Sequence, residues 1–144
     1  MGRALTNGRE ELLRWVLVLG VLALIFLGPL GHWRQQARAK RALAHATTRQ
    51  LATAVKDFQK EYGSLPSGDL KAIVAALDGN NPRRLAFFSA PTRLFDANGE
   101  LIDPWGAPYR FDIRAGAEPR FWSRGKDGRD QGGDKGSDDI PNWR

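Results

Sequence analysis

Trp15-Val-Leu-Val-Leu-Gly20-Val-Leu-Ala-Leu-Ile-Phe-Leu-Gly28-Pro29-Leu30-Gly-His-Trp33 is followed, from Gln35 to Tyr62, by a stretch with no Gly and no Pro. The first part carries no formal charge between Trp15 and Gly31. With Leu12 and Leu13 it approaches the ~20 residues that a helix needs to cross a bilayer. Trp15 and Trp33 stand at its ends, where aromatic rings suit the two membrane interfaces. A cleaved secretory signal fits less well, because the run is long for such a segment and no small-x-small cleavage pattern follows it. In the second part alanine is abundant, and Leu51, Val55, Phe58 and Tyr62 recur at helical spacing as one apolar stripe. Gly63 and then Leu65-Pro66 end the pattern. The reading is one helix from about Glu10 to Tyr62, roughly 80 Å long at 1.5 Å per residue. Its first half is expected in lipid, and its second half needs a partner for the stripe.

The rest of the chain supplies that partner. Ser67 is a candidate cap for a short helix carrying Leu70, Ile73, Val74 and Leu77 on one face, stopped by Gly79-Asn-Asn-Pro82. Thr92-Arg-Leu-Phe95 and Glu100-Leu-Ile102 flank Asp96-Ala-Asn98-Gly99, a hairpin-turn signal. Tyr109, Phe111 and Ile113 alternate with Arg110, Asp112 and Arg114, the pattern of a half-buried strand, and Arg120-Phe-Trp-Ser123 reads as the next. The expected fold class is therefore α+β, a long helix laid on a small antiparallel sheet.

Composition narrows the function. A chain of 144 residues suits one domain of ordinary size. The net charge is +6, yet the Lys and Arg residues are scattered from Arg3 to Arg144. The densest group, Arg34, Arg38, Lys40 and Arg41, directly follows the apolar run, so it reads as membrane flanking and no nucleic-acid partner is expected. Arg3, Arg9 and Arg14 precede the run, partly offset by Glu10 and Glu11, so the positive-inside count argues against an exported C-terminal domain. The two His, at positions 32 and 45, lie out of phase on the long helix, and there is no Cys, no Gly-x-Ser-x-Gly and no phosphate loop. The expectation is a protein that is not an enzyme.

The C-terminal stretch is chemically the most distinctive. Between Ser123 and Asp139 there are five Gly and five Asp, in a chain with only 16 acidic residues. Calcium takes six to eight oxygen ligands from carboxylates and carbonyls of flexible loops, and glycines let the backbone turn its carbonyls inward. Phe121-Trp122 and Ile140-Pro-Asn-Trp143 bracket the stretch with apolar anchors that a free tail does not need.

Taken together, the apolar helix running into an amphipathic one, the segment Asp103-Pro104-Trp105-Gly106-Ala-Pro108-Tyr109, and Ser123-x-Gly-x-Asp127-Gly ending in Asp138-Asp139-Ile-x-Asn142-Trp143 resemble the major pseudopilin, or G subunit, of the type II secretion system. The resemblance implies a pilin-like fold with a C-terminal Ca2+ loop. It assigns Asp127 as first carboxylate ligand, Asp138 and Asp139 as the closing pair, and the carbonyls of Arg124 and Arg129 as further donors. Asp130 and Asp134 lie in a longer stretch and are read as surface residues. Asp103, Pro104, Trp105 and Gly106 are read as a structural turn with Trp105 packed beneath it.

The same resemblance implies a structural subunit of a secretion pseudopilus that supports protein export from the bacterial inner membrane. It would be a single-pass protein with its globular domain in the periplasm. The partners implied are like subunits or other pseudopilins, met through the N-terminal helix, and the inner-membrane secretion platform. The expected division is a cytoplasmic N-terminus over 1–11, a transmembrane half-helix over 12–33 and a globular domain over 34–144.

The N-terminus departs from the family pattern. Cleavage after Gly8 would put Leu13 at the fifth mature position, whereas counting back from Gly20 selects Glu11 and a cut between Thr6 and Asn7. Glu11 is the candidate assembly residue, to meet the N-terminal amine of a neighbour, or else a favourable charge at a helix start. An uncleaved, membrane-anchored domain acting as an accessory or partner-binding component is the alternative.

Overall fold

The computed structural model describes residues 4–144, with the side chains of 11–21 and 33–144. Helix α1 spans Ala4–Tyr62 and α2 spans Leu70–Leu77. Strands β1 (Arg110–Asp112), β2 (Arg120–Ser123) and β3 (Ile140–Pro141) form one antiparallel sheet in the order β1-β2-β3. The chain divides into two compact units, one up to Ala39 and the other Lys40–Arg144.

In the second unit, α1 buries Ala44, Thr47, Thr48, Leu51, Ala52, Ala54, Val55 and Phe58. These positions recur every three or four residues, which is one face of a helix. The expected stripe is thus present, and the buried face reaches back through the small residues Ala44, Thr47 and Thr48. Leu51, Val55 and Phe58 join Leu70, Ile73, Val74 and Leu77 of α2, together with Phe88, Leu101, Tyr109 and Phe121, in one core. Each such apolar side chain contributes roughly 1.5–3 kcal/mol on burial. Tyr62 is only partly buried. Its ring lies 4.6 Å from that of Phe58, and its hydroxyl donates to Asn81 Oδ1 at 2.7 Å.

Local chemistry fixes the element ends. Gly63, at φ 67°, closes α1 with its amide on the Gln59 carbonyl at 2.8 Å. The cap of α2 is Asp69 and not Ser67: its Oδ1 accepts from the Ala72 amide at 2.8 Å, three residues on. Gly68, at φ 110°, turns the chain between the two. Thr92–Leu94, expected as a strand, is a single 3₁₀ turn. Pro91 sets its first corner, and pairing begins only at the isolated bridge Phe95–Leu101. The turn between them is as expected, with Asp96 Oδ1 accepting the amides of Asn98 and Glu100 at 2.9 and 2.8 Å.

In β1 and β2 the register pairs Phe111 with Phe121 and Arg110 with Trp122. Phe121 and Ser123 face inward while Arg120 faces out. Among the described residues no helix is long and apolar enough to cross a membrane. The expected span 12–33 includes residues 22–32, whose side chains lie outside the described set. The two candidate cleavage sites, after Thr6 and after Gly8, involve side chains outside it as well.

Candidate functional site

The C-terminal loop leaves the sheet at Ser123 and returns to it at Ile140, which pair directly across β2 and β3. Its return is fastened by Asn142. Pro141 has no amide to donate, so the ladder cannot continue through it. The Asn142 side chain takes over: Oδ1 accepts from the Phe121 amide at 2.7 Å and Nδ2 donates to the Pro119 carbonyl at 3.1 Å, while its own amide donates to the Phe121 carbonyl at 3.0 Å. Trp143 then packs edge-on to Trp122 with ring centroids 6.0 Å apart, and the Arg120 guanidinium sits 5.2 Å over the Trp143 ring.

The turn around Asp103 is the loop's foundation. Asp103 is 3% exposed. Its Oδ1 accepts the amides of Trp105 and Ala107 at 3.0 and 2.9 Å, and its Oδ2 accepts the Ser123 hydroxyl at 2.6 Å. Gly106, at φ 90°, supplies the corner, with its amide on the Asp103 carbonyl at 2.9 Å. The Ser123 oxygen in turn accepts the Gly125 amide at 3.0 Å. Asp103, Pro104 and Gly106 thus stand in a hydrogen-bonded turn. Trp105, by contrast, is half-buried and outside the core cluster. Burial pushes the neighbouring Tyr109 hydroxyl well above the ordinary tyrosine range; a hydrogen bond with Thr47 opposes this and the charge of Asp103 adds to it.

Within the loop the acidic residues separate. Asp127 is exposed and folds on itself, its Oδ1 accepting the Arg129 amide at 3.0 Å. Asp138 reaches across to the same turn, where Oδ2 accepts the amides of Lys126 and Asp127 at 2.6 and 3.2 Å and Oδ1 meets the Arg41 guanidinium of α1. Asp139 points to a different turn, its Oδ2 accepting the amides of Gln131 and Gly133 at 2.9 and 2.8 Å. Its Oδ1 is buried without a hydrogen-bond partner, in a residue only 6% exposed. Arg124, half-buried, directly follows β2 and also has a buried, unpartnered nitrogen, Nε. Among the described residues no group of three or more acidic or His side chains is placed to hold a metal ion. Asp139 Oδ1 is thus the buried carboxylate oxygen the loop leaves without a partner, while Asp127, Asp130 and Asp138 each hold backbone amides.

Asp130 and Asp134, both read as surface residues, are both exposed. Asp130 in addition receives the Trp122 indole on Oδ1 at 2.9 Å and the Gly132 amide at 3.2 Å, and its Oδ2 pairs with Arg110 at 3.1 Å. Partial burial raises its pKa, but the indole, the amide and the charges of Arg110 and Arg124 outweigh this and hold it below the usual aspartate value. Its spacing in the sequence gave no signal for this, since Trp122 lies on the strand before the loop. Arg41 and His45 were also missed. One turn apart on α1, they meet the two sides of the loop's end, with His45 Nε2 lying 2.9 Å from the Arg144 carbonyl oxygen.

Toward the other end of α1, Glu11 is exposed and pairs with Arg14 at 3.1 Å. Leu12, Leu13, Trp15, Val16, Leu17, Val18, Leu19 and Val21 are 47–68% exposed.

A protein-family model described as type II secretion system (T2SS), protein G matches residues 32–143, leaving outside it only residues 1–31 and Arg144. No curated protein matches the chain.

Proposed function

The chain belongs to the type II secretion system protein G family, the pseudopilins, and from that membership we propose that it is a structural subunit of the secretion pseudopilus, supporting protein export. The observation that carries this reading is the surface of α1 between Leu12 and Val21. Its apolar side chains are bare at eight positions whose helical angles cover the whole circumference. A stripe could be met by one folded domain, but a helix apolar on all sides needs lipid or a ring of other helices. A pseudopilin supplies both in turn: the helix is held in the inner membrane as a single span, and other helices replace the lipid when subunits assemble. The family assembles with other pseudopilins, and the inner-membrane platform is the partner proposed for that transfer. The globular domain then lies in the periplasm.

At the C-terminal loop the proposed ligand is Ca2+. Asp139 Oδ1, buried and unpartnered, is the oxygen that a hard cation would satisfy. Asp127 and Asp138, with the carbonyls of Arg124 and Arg129, are the further donors that the resemblance nominates. Bound there, the ion supplies charge neutralisation for the clustered aspartates and ties the loop's two turns together. This proposed role is structural: among the described residues the partners of Asp127, Asp138 and Asp139 are backbone amides and the Arg41 guanidinium.

A second reading is an uncleaved anchor that serves as an accessory component. It is favoured by the Glu11–Arg14 pair, which gives Glu11 a partner within its own helix. The intact mass of the protein extracted from membranes decides between the two. Loss of residues 1–6 or 1–8 is the result expected for a filament subunit, and a retained Met1 is the result expected for the anchor. Recovery of the full chain in the soluble fraction would overturn both.

A further inference from the structure

Asp138 and Asp139 are adjacent in sequence but differ in what remains for a cation to do. The Asp138 carboxylate is fully engaged: two amides hold Oδ2 and the Arg41 guanidinium meets Oδ1. The Asp138 side chain is 20% exposed and that of Arg41 58%, so the carboxylate is the shielded member of the pair while the guanidinium meets it from the solvent side. The backbone at Asp138 also lies close against Gly125, where a Cβ would collide with the Asp138 carbonyl oxygen. A divalent ion approaching Oδ1 would meet a resident positive charge, and guanidinium and calcium repel at contact distance. Asp139, in contrast, has its amide donors on one oxygen only.

We infer that Arg41 is the built-in counter-cation of the C-terminal loop, a positioning residue that holds Asp138 in place of a metal and leaves Asp139 as the metal-seeking carboxylate. The part concerning metal rests on the calcium reading above at Asp139 and departs from it at Asp138, which the resemblance nominates as a donor; the part concerning Arg41 does not rest on it. His45, four residues on, meets the Arg144 carbonyl from the same face of α1. Loop and chain end are thereby clamped to one helix at two points, whether or not an ion is bound. The basic residues after the apolar run are not all membrane flanking, for at least one is committed to the folded domain.

The test is thermal melting of the full chain in detergent, as wild type, Arg41→Gln, Asp138→Asn and the double variant, each in chelator and in millimolar calcium. In chelator each single variant is expected to melt about 5 °C lower, and the double variant no lower than the worse single, because both remove one interaction. Calcium is expected to raise the melting point of Arg41→Gln more than that of wild type, since the vacated Asp138 then joins the ion. Arg41→Lys, which keeps the charge, should recover most of the loss. Additive losses in the double variant, or an equal calcium response in wild type and Arg41→Gln, would overturn the assignment. A calcium response in Arg41→Gln with none in wild type would uphold Arg41 and overturn the calcium reading for the native chain.

Discussion

The Asp103 carboxylate and the Ser123 hydroxyl are 2.6 Å apart, both buried, and join the turn before β1 to the point where the chain leaves β2 for the C-terminal loop. Because Asp103 also holds the Trp105 and Ala107 amides, one side chain satisfies three buried or half-buried donors. Asp103→Ala is expected to cost about 3 kcal/mol or more, as each stranded donor costs roughly 1–3 kcal/mol. Ser123→Ala removes one donor to Asp103 and strands the Gly125 amide, but leaves the turn's own amides held, so it should cost about 2 kcal/mol. Denaturant titration of the two variants checks the order, and equal losses would count against the turn's primacy.

Gly125 and Gly128 both have positive φ, 65° and 68°, but different surroundings. A Cβ on Gly125 would meet the Asp138 backbone, whereas one on Gly128 would meet nothing within 4 Å. Gly128→Ala should therefore cost only the left-handed penalty, about 1–2 kcal/mol. Gly125→Ala should cost well beyond that, because the obstructing atom is backbone and cannot rotate away. Comparable melting temperatures for the two variants would contradict the close approach.

The two closing aspartates and Asp127 should differ in their response to calcium. Asp139→Asn is expected to abolish any stabilisation by added calcium. Asp127→Asn, whose carboxylate is exposed and closes only its own turn, should reduce that stabilisation less. Calcium titrations followed by Trp fluorescence provide the comparison, with Trp122 and Trp143 as reporters beside the loop.

Stability should decline at both extremes of pH for different reasons. Asp96 and Asp130 are held below the ordinary aspartate range in the folded chain. For Asp96 the amide of Glu100 is the chief cause; for Asp130 burial opposes the shift but is outweighed by its donors. Their contribution is present above the unfolded value and is lost as pH falls below about 4 through the depressed one. Tyr109 is shifted upward from 10.0 by burial. Its contribution is complete below pH 10 and is lost progressively above it, as the unfolded chain ionises first. Asp130→Asn should flatten the acid limb and Tyr109→Phe the alkaline limb in melting temperature measured against pH.

Periodicity made the helices legible, because Leu51, Val55 and Phe58 recur on one face of α1 and Leu70, Ile73, Val74 and Leu77 on one face of α2. The turn at Asp103 was legible because Asp, Pro and Gly each leave a local geometric mark. The partners of Asp130, Asp138 and Asp139 were not, since they depend on which amides the glycine turns bring near. Those turns have φ between 65° and 96° at Gly125, Gly128, Gly132, Gly133 and Gly136, and residue type alone does not say which turn faces which carboxylate. Arg41 was obscured for another reason: a cation after an apolar run has an adequate membrane explanation, and only the chain's long-range return reveals its second use.

β3 comprises Ile140 and Pro141 alone, at the edge of a three-stranded sheet, with the Asn142 side chain turned back onto β2. A two-residue edge containing a residue with no amide is a poor template for another strand. The domain can therefore be crowded against copies of itself without recruiting them into a growing sheet. Growth by strand addition is disfavoured on that edge, which is compatible with the proposed assembly through helices and would keep such an array distinct from an aggregate.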